Sequence, residues 1–150
     1  MKKLLVTAAF VLAAAMPALA QGAVQPLTIK SGDKSHTFQV EAAHTLPEIT
    51  KGLAGRASLA KDHGMLLDFR NIKEQYTLNM KGVTVELDML FLDTDGTIRA
   101  IASSARPGSL RTIAPGIGSA SVLQIAGGQA SALGLKPGDK VTSALLANGG

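Results

Sequence analysis

The chain has 150 residues, with 15 Lys and Arg against 11 Asp and Glu, and it contains no cysteine. That length suits one domain with its own core, and the missing cysteine excludes disulfide staples, Cys-ligated metals and Cys nucleophiles. The basic residues form no block and are not interleaved with the four Phe and one Tyr, so nucleic acid is not an expected partner.

The N-terminus opens with the cationic Met1-Lys2-Lys3, followed by an apolar run from Leu4 to Ala15 that only Thr7 interrupts. Pro17 breaks the run, and Ala18 and Ala20 supply the small residues read by a signal peptidase. This is the tripartite secretory pattern, with cleavage expected between Ala20 and Gln21. The run is shorter than the ~20 apolar residues of a spanning helix. No Cys follows it to accept a lipid. The expected product is periplasmic or secreted and meets the membrane only transiently, through its signal. Losing residues 1–20 leaves 130 residues with 13 basic and 11 acidic side chains, a net charge of +2.

Residues 21–26 read as a tether, 27–146 as a single domain and 147–150 as a tail. A strand around Leu27–Lys30 should turn back through Ser31-Gly32-Asp33-Lys34 into a second. There Phe38, Val40 and Ala42 alternate with Thr37, Gln39 and Glu41, so one face is buried. Thr45 with Glu48 forms a capping box, and Pro47 falls in the first turn. The helix that follows carries Leu46, Ile49 and Leu53 on one face and should end at Gly55. Gly64–Phe69 reads as a strand with Met65, Leu67 and Phe69 on one side, and Gln75–Met80 as another. In Val85–Leu92, residues Val85, Leu87, Met89 and Phe91 point inward, while Leu90 and Leu92 imply cover on the second face. Thr94-Asp95-Gly96 turns into Thr97–Ser103, and Arg106–Gly118 reads as a surface loop. Strands at Ser121–Ala126 and Lys140–Leu145 flank a short helix near Gly128–Leu133, which Gly134 closes. The expected fold is mainly β: a compact β-sandwich or barrel of about seven to eight short strands with one or two short helices.

Two motifs invite other readings. Phe91-Leu92-Asp93-Thr94-Asp95-Gly96-Thr97 resembles the first motif of haloacid-dehalogenase phosphatases, which would make the chain a metal-dependent hydrolase built on Asp93 and Asp95. Only Asp139 supplies a further carboxylate downstream, and no long helix follows, so a hairpin turn is the simpler reading. Leu133-Gly134-Leu135-Lys136-Pro137-Gly138-Asp139-Lys140-Val141 resembles the closing segment of a PDZ peptide-binding module, but the carboxylate-binding loop is missing upstream. His36, His44 and His63 have no metal-ligand spacing, and no cofactor is implied.

Five elements, in order, resemble the DUF192 family of bacterial and archaeal proteins of unknown function. They are Gly52-Leu53-Ala54-Gly55-Arg56, His63-Gly64-Met65-Leu66, Met80-Lys81, Leu87 through Gly96, and Gly134 through Asp139. Leu78-Asn79 replaces that family's Phe-Trp, Gly82-Val83 replaces its Asn-Thr, and Gln124 stands where Glu is common. The resemblance implies a compact, β-rich and often exported fold, and brings no known reaction.

Arg56, Lys81 and Asp88 are the candidate ligand-binding residues. Asp88 falls on the strand face opposite Leu87 and Met89, placed to pair with Lys81 or Arg56. The expected function is a non-enzymatic periplasmic module binding a small ligand or an envelope protein.

Overall fold

The computed structural model describes residues 23–114 and 118–147; residues 1–20, read from the sequence as an export signal, and the expected cleavage point lie outside them. Alternating apolar and polar residues make β1 (Gln25–Ser31) and β2 (Lys34–Ala43) an antiparallel hairpin about Gly32. Next come α1 (Leu46–Lys51), β3 (His63–Asp68), β4 (Leu87–Leu92), β5 (Ile98–Ala105), β6 (Ser121–Ala126), α2 (Gln129–Ala132), β7 (Lys140–Thr142) and α3 (Ala144–Ala147). The seven strands form one curled sheet in the order β5-β4-β6-β3-β2-β1-β7. All neighbours are antiparallel except β2 and β3. Parallel strands cannot be joined by a tight turn, and the segment containing α1 makes that crossover.

The architecture is a half-barrel: mainly β, as the strand pattern requires, with three short helices instead of one or two. Its concave face gathers side chains from every strand, among them Leu27, Phe38, Leu66, Leu90, Ile98, Leu123 and Val141. A second apolar layer lies on the convex face of β3, β4 and β6. There Met65, Leu67, Leu87, Met89 and Phe91 are covered by Ile49 and Leu53 from the α1 region and by Leu78, Met80 and Val83 from the β3–β4 connection. The central strands are therefore buried on both sides, and β4 is buried at every position. Leu87, Met89 and Phe91 thus face the outer layer, while Leu90 and Leu92 fill the barrel.

The curl brings the two edge strands together at one end. Thr97 bridges Lys140, Ile98 N–H donates to the Asp139 carbonyl (2.9 Å), and Val141 N–H donates to the Gly96 carbonyl (2.8 Å). Among the described residues, no helix is long and apolar enough to cross a membrane.

Several local expectations change. Gln75–Met80 is not a strand: Leu78 makes a single bridge to Ile113, and the two long connections lace together across the outer layer. Its apolar residues are buried by this layering and need no strand partner. The first helix ends at Gly52, whose φ of 46° leaves the helical path, not at Gly55. The last strand stops at Thr142 because Ser143 Oγ accepts the Leu145 N–H and starts α3. The first strand begins at Gln25, inside the expected tether.

Candidate functional site

The pairing register lines up one row across the convex face: Glu41 on β2, Met65 on β3, Gln124 on β6 and Met89 on β4. Gln124 is the polar member in the middle of this row, flanked by two methionines and only 4% exposed. Its side-chain Oε1 has no hydrogen-bond partner among the described residues. An unmet buried acceptor costs about 1–3 kcal/mol. Among the described residues His36 Nε2 and Ser121 Oγ are also buried without a partner, but neither residue borders the cleft described next.

Gln124 lies on the floor of a cleft of about 240 Å³. One wall is the end of α1 and the Gly52 turn; the other is the Tyr76–Val83 segment, with Leu67 beside Gln124 below. The sequence builds both walls locally. Thr45 Oγ1 accepts the Glu48 N–H and the Glu48 carboxylate accepts the Thr45 N–H, which fixes the start of α1. Gly52 lets the chain leave the helix so closely over the sheet that a Cβ there would sit 3.7 Å from Gln124 Oε1. Lys51 and Lys81 border the cleft, no Asp or Glu does, and neither lysine forms an ion pair among the described residues.

The three residues nominated from the sequence do not converge. Lys81 is exposed at the cleft. Arg56 reaches across to Glu41, with Nη1 to Oε1 at 2.9 Å, and this partly buried pair raises the already high pKa of the guanidinium. Arg56 and Lys81 stand on adjacent segments, since Gly55 N–H donates to the Gly82 carbonyl and Thr84 Oγ1 to the Arg56 carbonyl. Asp88 lies on the opposite face of β4, fully buried, where Oδ1 accepts the Ser104 N–H and Oδ2 the Ala130 N–H, both at 2.8 Å. The expected pairing of Asp88 with Lys81 or Arg56 does not occur: the sheet separates them. Sequence reasoning missed Gln124 as a site residue. The available signal was its side chain alone in the apolar β6 run Val122-Leu123-Gln124-Ile125, where a strand buried on both faces has no place for an unpaired amide.

Asp93 and Asp95 occupy the β4–β5 turn. Asp93 Oδ1 accepts the Thr94 N–H and Oδ2 pairs with Arg99. The Thr97 backbone amide, with Lys140 and the Thr97 hydroxyl, lowers the Asp95 carboxyl to about 2. Asp88 lies five residues, or ~16 Å, back along the strand, so the three carboxylates do not form one centre. No group of three His, Asp or Glu side chains among the described residues is arranged to hold a metal. The Pro137-Gly138 motif is a turn into β7, tied by Asp139 Oδ2 accepting the Lys136 N–H. A wider depression of about 640 Å³ borders Arg70, Asp93 and Leu146, but both of its charged side chains are engaged within the chain.

Arg70 joins Asp68 through Nε and Nη2 and also donates to the carbonyls of Leu145 and Leu146, docking α3. His44 Nδ1 lies 3.2 Å from Asp68 Oδ2. Burial pushes the Asp68 carboxyl up, but the hydrogen bonds and charge of Arg70 outweigh it, and the net pKa falls below the ordinary 3.8. A pKa lower in the folded than in the unfolded chain stabilises the fold above the unfolded value. That contribution fades as pH drops through the folded one. Melting temperature should therefore fall steeply below about pH 4, and Asp68→Asn should flatten that acid limb. A variant with an acid limb as steep as the parent's would remove Asp68 from this role.

The fold and the cleft define a class: small half-barrel proteins whose convex sheet face is roofed by one crossover helix and a long connection. The chain belongs to the DUF192 family, described as "Uncharacterized ACR", whose model matches residues 19–143. It is similar to a crystal structure of a protein of unknown function from Novosphingobium aromaticivorans DSM 12444. The two are 32% identical with a TM-score of 0.78, over 86% of this chain and 91% of that one. It is also similar to a protein from Sinorhizobium meliloti 1021, provisionally described as a transcription regulator. That likeness has 34% identity and a TM-score of 0.77, over 82% of this chain and 95% of that one. No curated protein matches the chain.

Proposed function

We propose that this protein is an exported, non-enzymatic module that binds a small ligand in the cleft between α1 and the Tyr76–Val83 segment. The observation carrying this reading is the Gln124 side chain, 4% exposed, on the floor of that cleft with its Oε1 unpartnered among the described residues. Small-molecule sites are concave, largely apolar and furnished with a few placed polar groups, and an unmet acceptor in such a hollow is an orienting group for a ligand. The volume suits a small molecule better than a protein segment. Export rests on the N-terminal pattern from Met1 to Ala20.

Two measurements test the reading. N-terminal sequencing of protein recovered from the periplasm should begin at Gln21; an intact Met1 there would end the export half. Fragment titration followed by amide NMR shifts, with a chemically mixed set, should move Gly52, Leu67 and Gln124 together. A set that perturbs other surfaces and never this trio would end the binding half.

A further inference from the structure

We infer that the ligand of this cleft is a compact organic anion: an apolar body carrying a hydrogen-bond donor at one end and an acidic group at the other. The inference rests on the cleft being a binding site and goes on to name what it takes.

Three features of the hollow specify the three parts. The floor of the cleft carries Gln124 Oε1, a carbonyl-type oxygen that can only accept and that has no partner among the described residues. Binding therefore removes its cost most effectively if the ligand presents an O–H or N–H there. Around it Ile49 and Leu53 on one wall, Leu67 on the floor and Leu78 and Val83 on the other wall form an apolar part, which suits a ring or branched hydrocarbon. Thr50, Thr77 and Asn79 make the rest of the lining polar. Among the described residues, the groups at the border with a full charge at neutral pH are the ammonium ends of Lys51 and Lys81, and no carboxylate lines the cleft. Two like charges on facing segments, unopposed within the cleft, favour an anion and disfavour a cation. The cleft holds ~8 waters' worth of liquid volume, which limits the occupant to one small ring or its equivalent.

The test uses protein purified after expression of the full chain and four matched probes. 4-Hydroxyphenylacetate has donor, ring and anion; phenylacetate lacks the donor; 4-methoxyphenylacetate offers only an acceptor; tyramine replaces the anion with a cation. Followed by amide shifts at Gly52, Leu67 and Gln124, 4-hydroxyphenylacetate should bind about five- to ten-fold more tightly than phenylacetate, the worth of one hydrogen bond. The methoxy compound and tyramine should bind more weakly still. Gln124→Leu should fold with an unchanged or higher melting temperature, because it removes an unmet acceptor. It should also bind the hydroxy and plain acids equally. Lys51→Glu with Lys81→Glu should weaken both acids about ten-fold. Phenylacetate, the methoxy compound or tyramine matching the hydroxy acid would overturn the assigned ligand class. So would mixed fragments occupying the cleft while all four probes fail, and in either case the cleft would still stand as a binding site. If neither set perturbs the cleft, both readings fall.

Discussion

Asp88→Ala should lower the free energy of unfolding by about 3 kcal/mol, the cost of leaving one buried and one partly buried donor unmet and of the void left behind. The residue is fully buried on β4, and its two oxygens are shared between elements distant in sequence. One holds Ser104, a non-glycine residue with a φ of 51°; the other holds Ala130 in the first turn of α2. The residue capping that helix is Gly128, which has no side chain to offer, so the cap comes from across the fold. Removing the carboxyl orphans both amides and opens a void between β5 and α2. Asp88→Asn should recover only part of the loss, because its amide group would set one N–H against another. Urea unfolding measures the cost, and hydrogen exchange at Ser104 and Ala130 locates it. A loss under about 1 kcal/mol would show that Asp88 is not the anchor described. Because Asp88 faces away from the cleft, the folded fraction of either variant should bind 4-hydroxyphenylacetate with the parent affinity.

Gly96→Ala should be comparably severe, at about 3 kcal/mol, for a different reason. Gly96 has a φ of 83°, and a Cβ there would lie 2.2 Å from the Val141 carbonyl oxygen. The left-handed backbone alone costs a side chain about 1 kcal/mol or more. The collision is with backbone, which cannot swing aside. It falls where β5 meets β7, so relief requires opening the hydrogen bonds that join the two edges of the sheet. Gly32→Ala is the control: its φ is 57° but nothing lies within 4 Å, so it should cost about 1 kcal/mol. Equal losses at the two positions would show that backbone conformation, and not barrel closure, governs Gly96. In Gly96→Ala the amides of Ile98 and Val141 should exchange faster than those of the β1–β2 hairpin.

The phosphatase-like motif has its physical explanation at this junction. Asp93, Asp95 and Gly96 are spaced as a nucleophilic motif would be, but their carboxylates bind Thr94, Thr97, Arg99 and Lys140 around a turn, and the glycine lets the barrel edges meet. The spacing was legible in the sequence, whereas its purpose depended on β7, more than forty residues onward in the chain.

Local order in the chain was enough to place the mainly β class, the Gly32 hairpin, the Thr45–Glu48 cap and the β3, β4 and β6 strands. Each rests on residues within a few positions of one another: alternation at period two, a cap three residues from its partner, a glycine in a turn. The convex layer was less visible. Leu78, Met80 and Val83 are apolar without being strand residues, because what buries them is another loop and a sheet face. Arg56, Lys81 and Asp88 were singled out for their charge, and only the tertiary structure sent Arg56 to Glu41 and Asp88 to two backbone amides while leaving Lys81 at a cleft. The sequence by itself determined how each strand alternates and that one polar residue, Gln124, interrupts β6. Which face that residue occupies, and that its oxygen lies at the floor of a cleft without a partner among the described residues, was decided by the register of four strands and the fold-back of α1. Those long-range pairings are properties of the packed sheet, with no local signature in the chain.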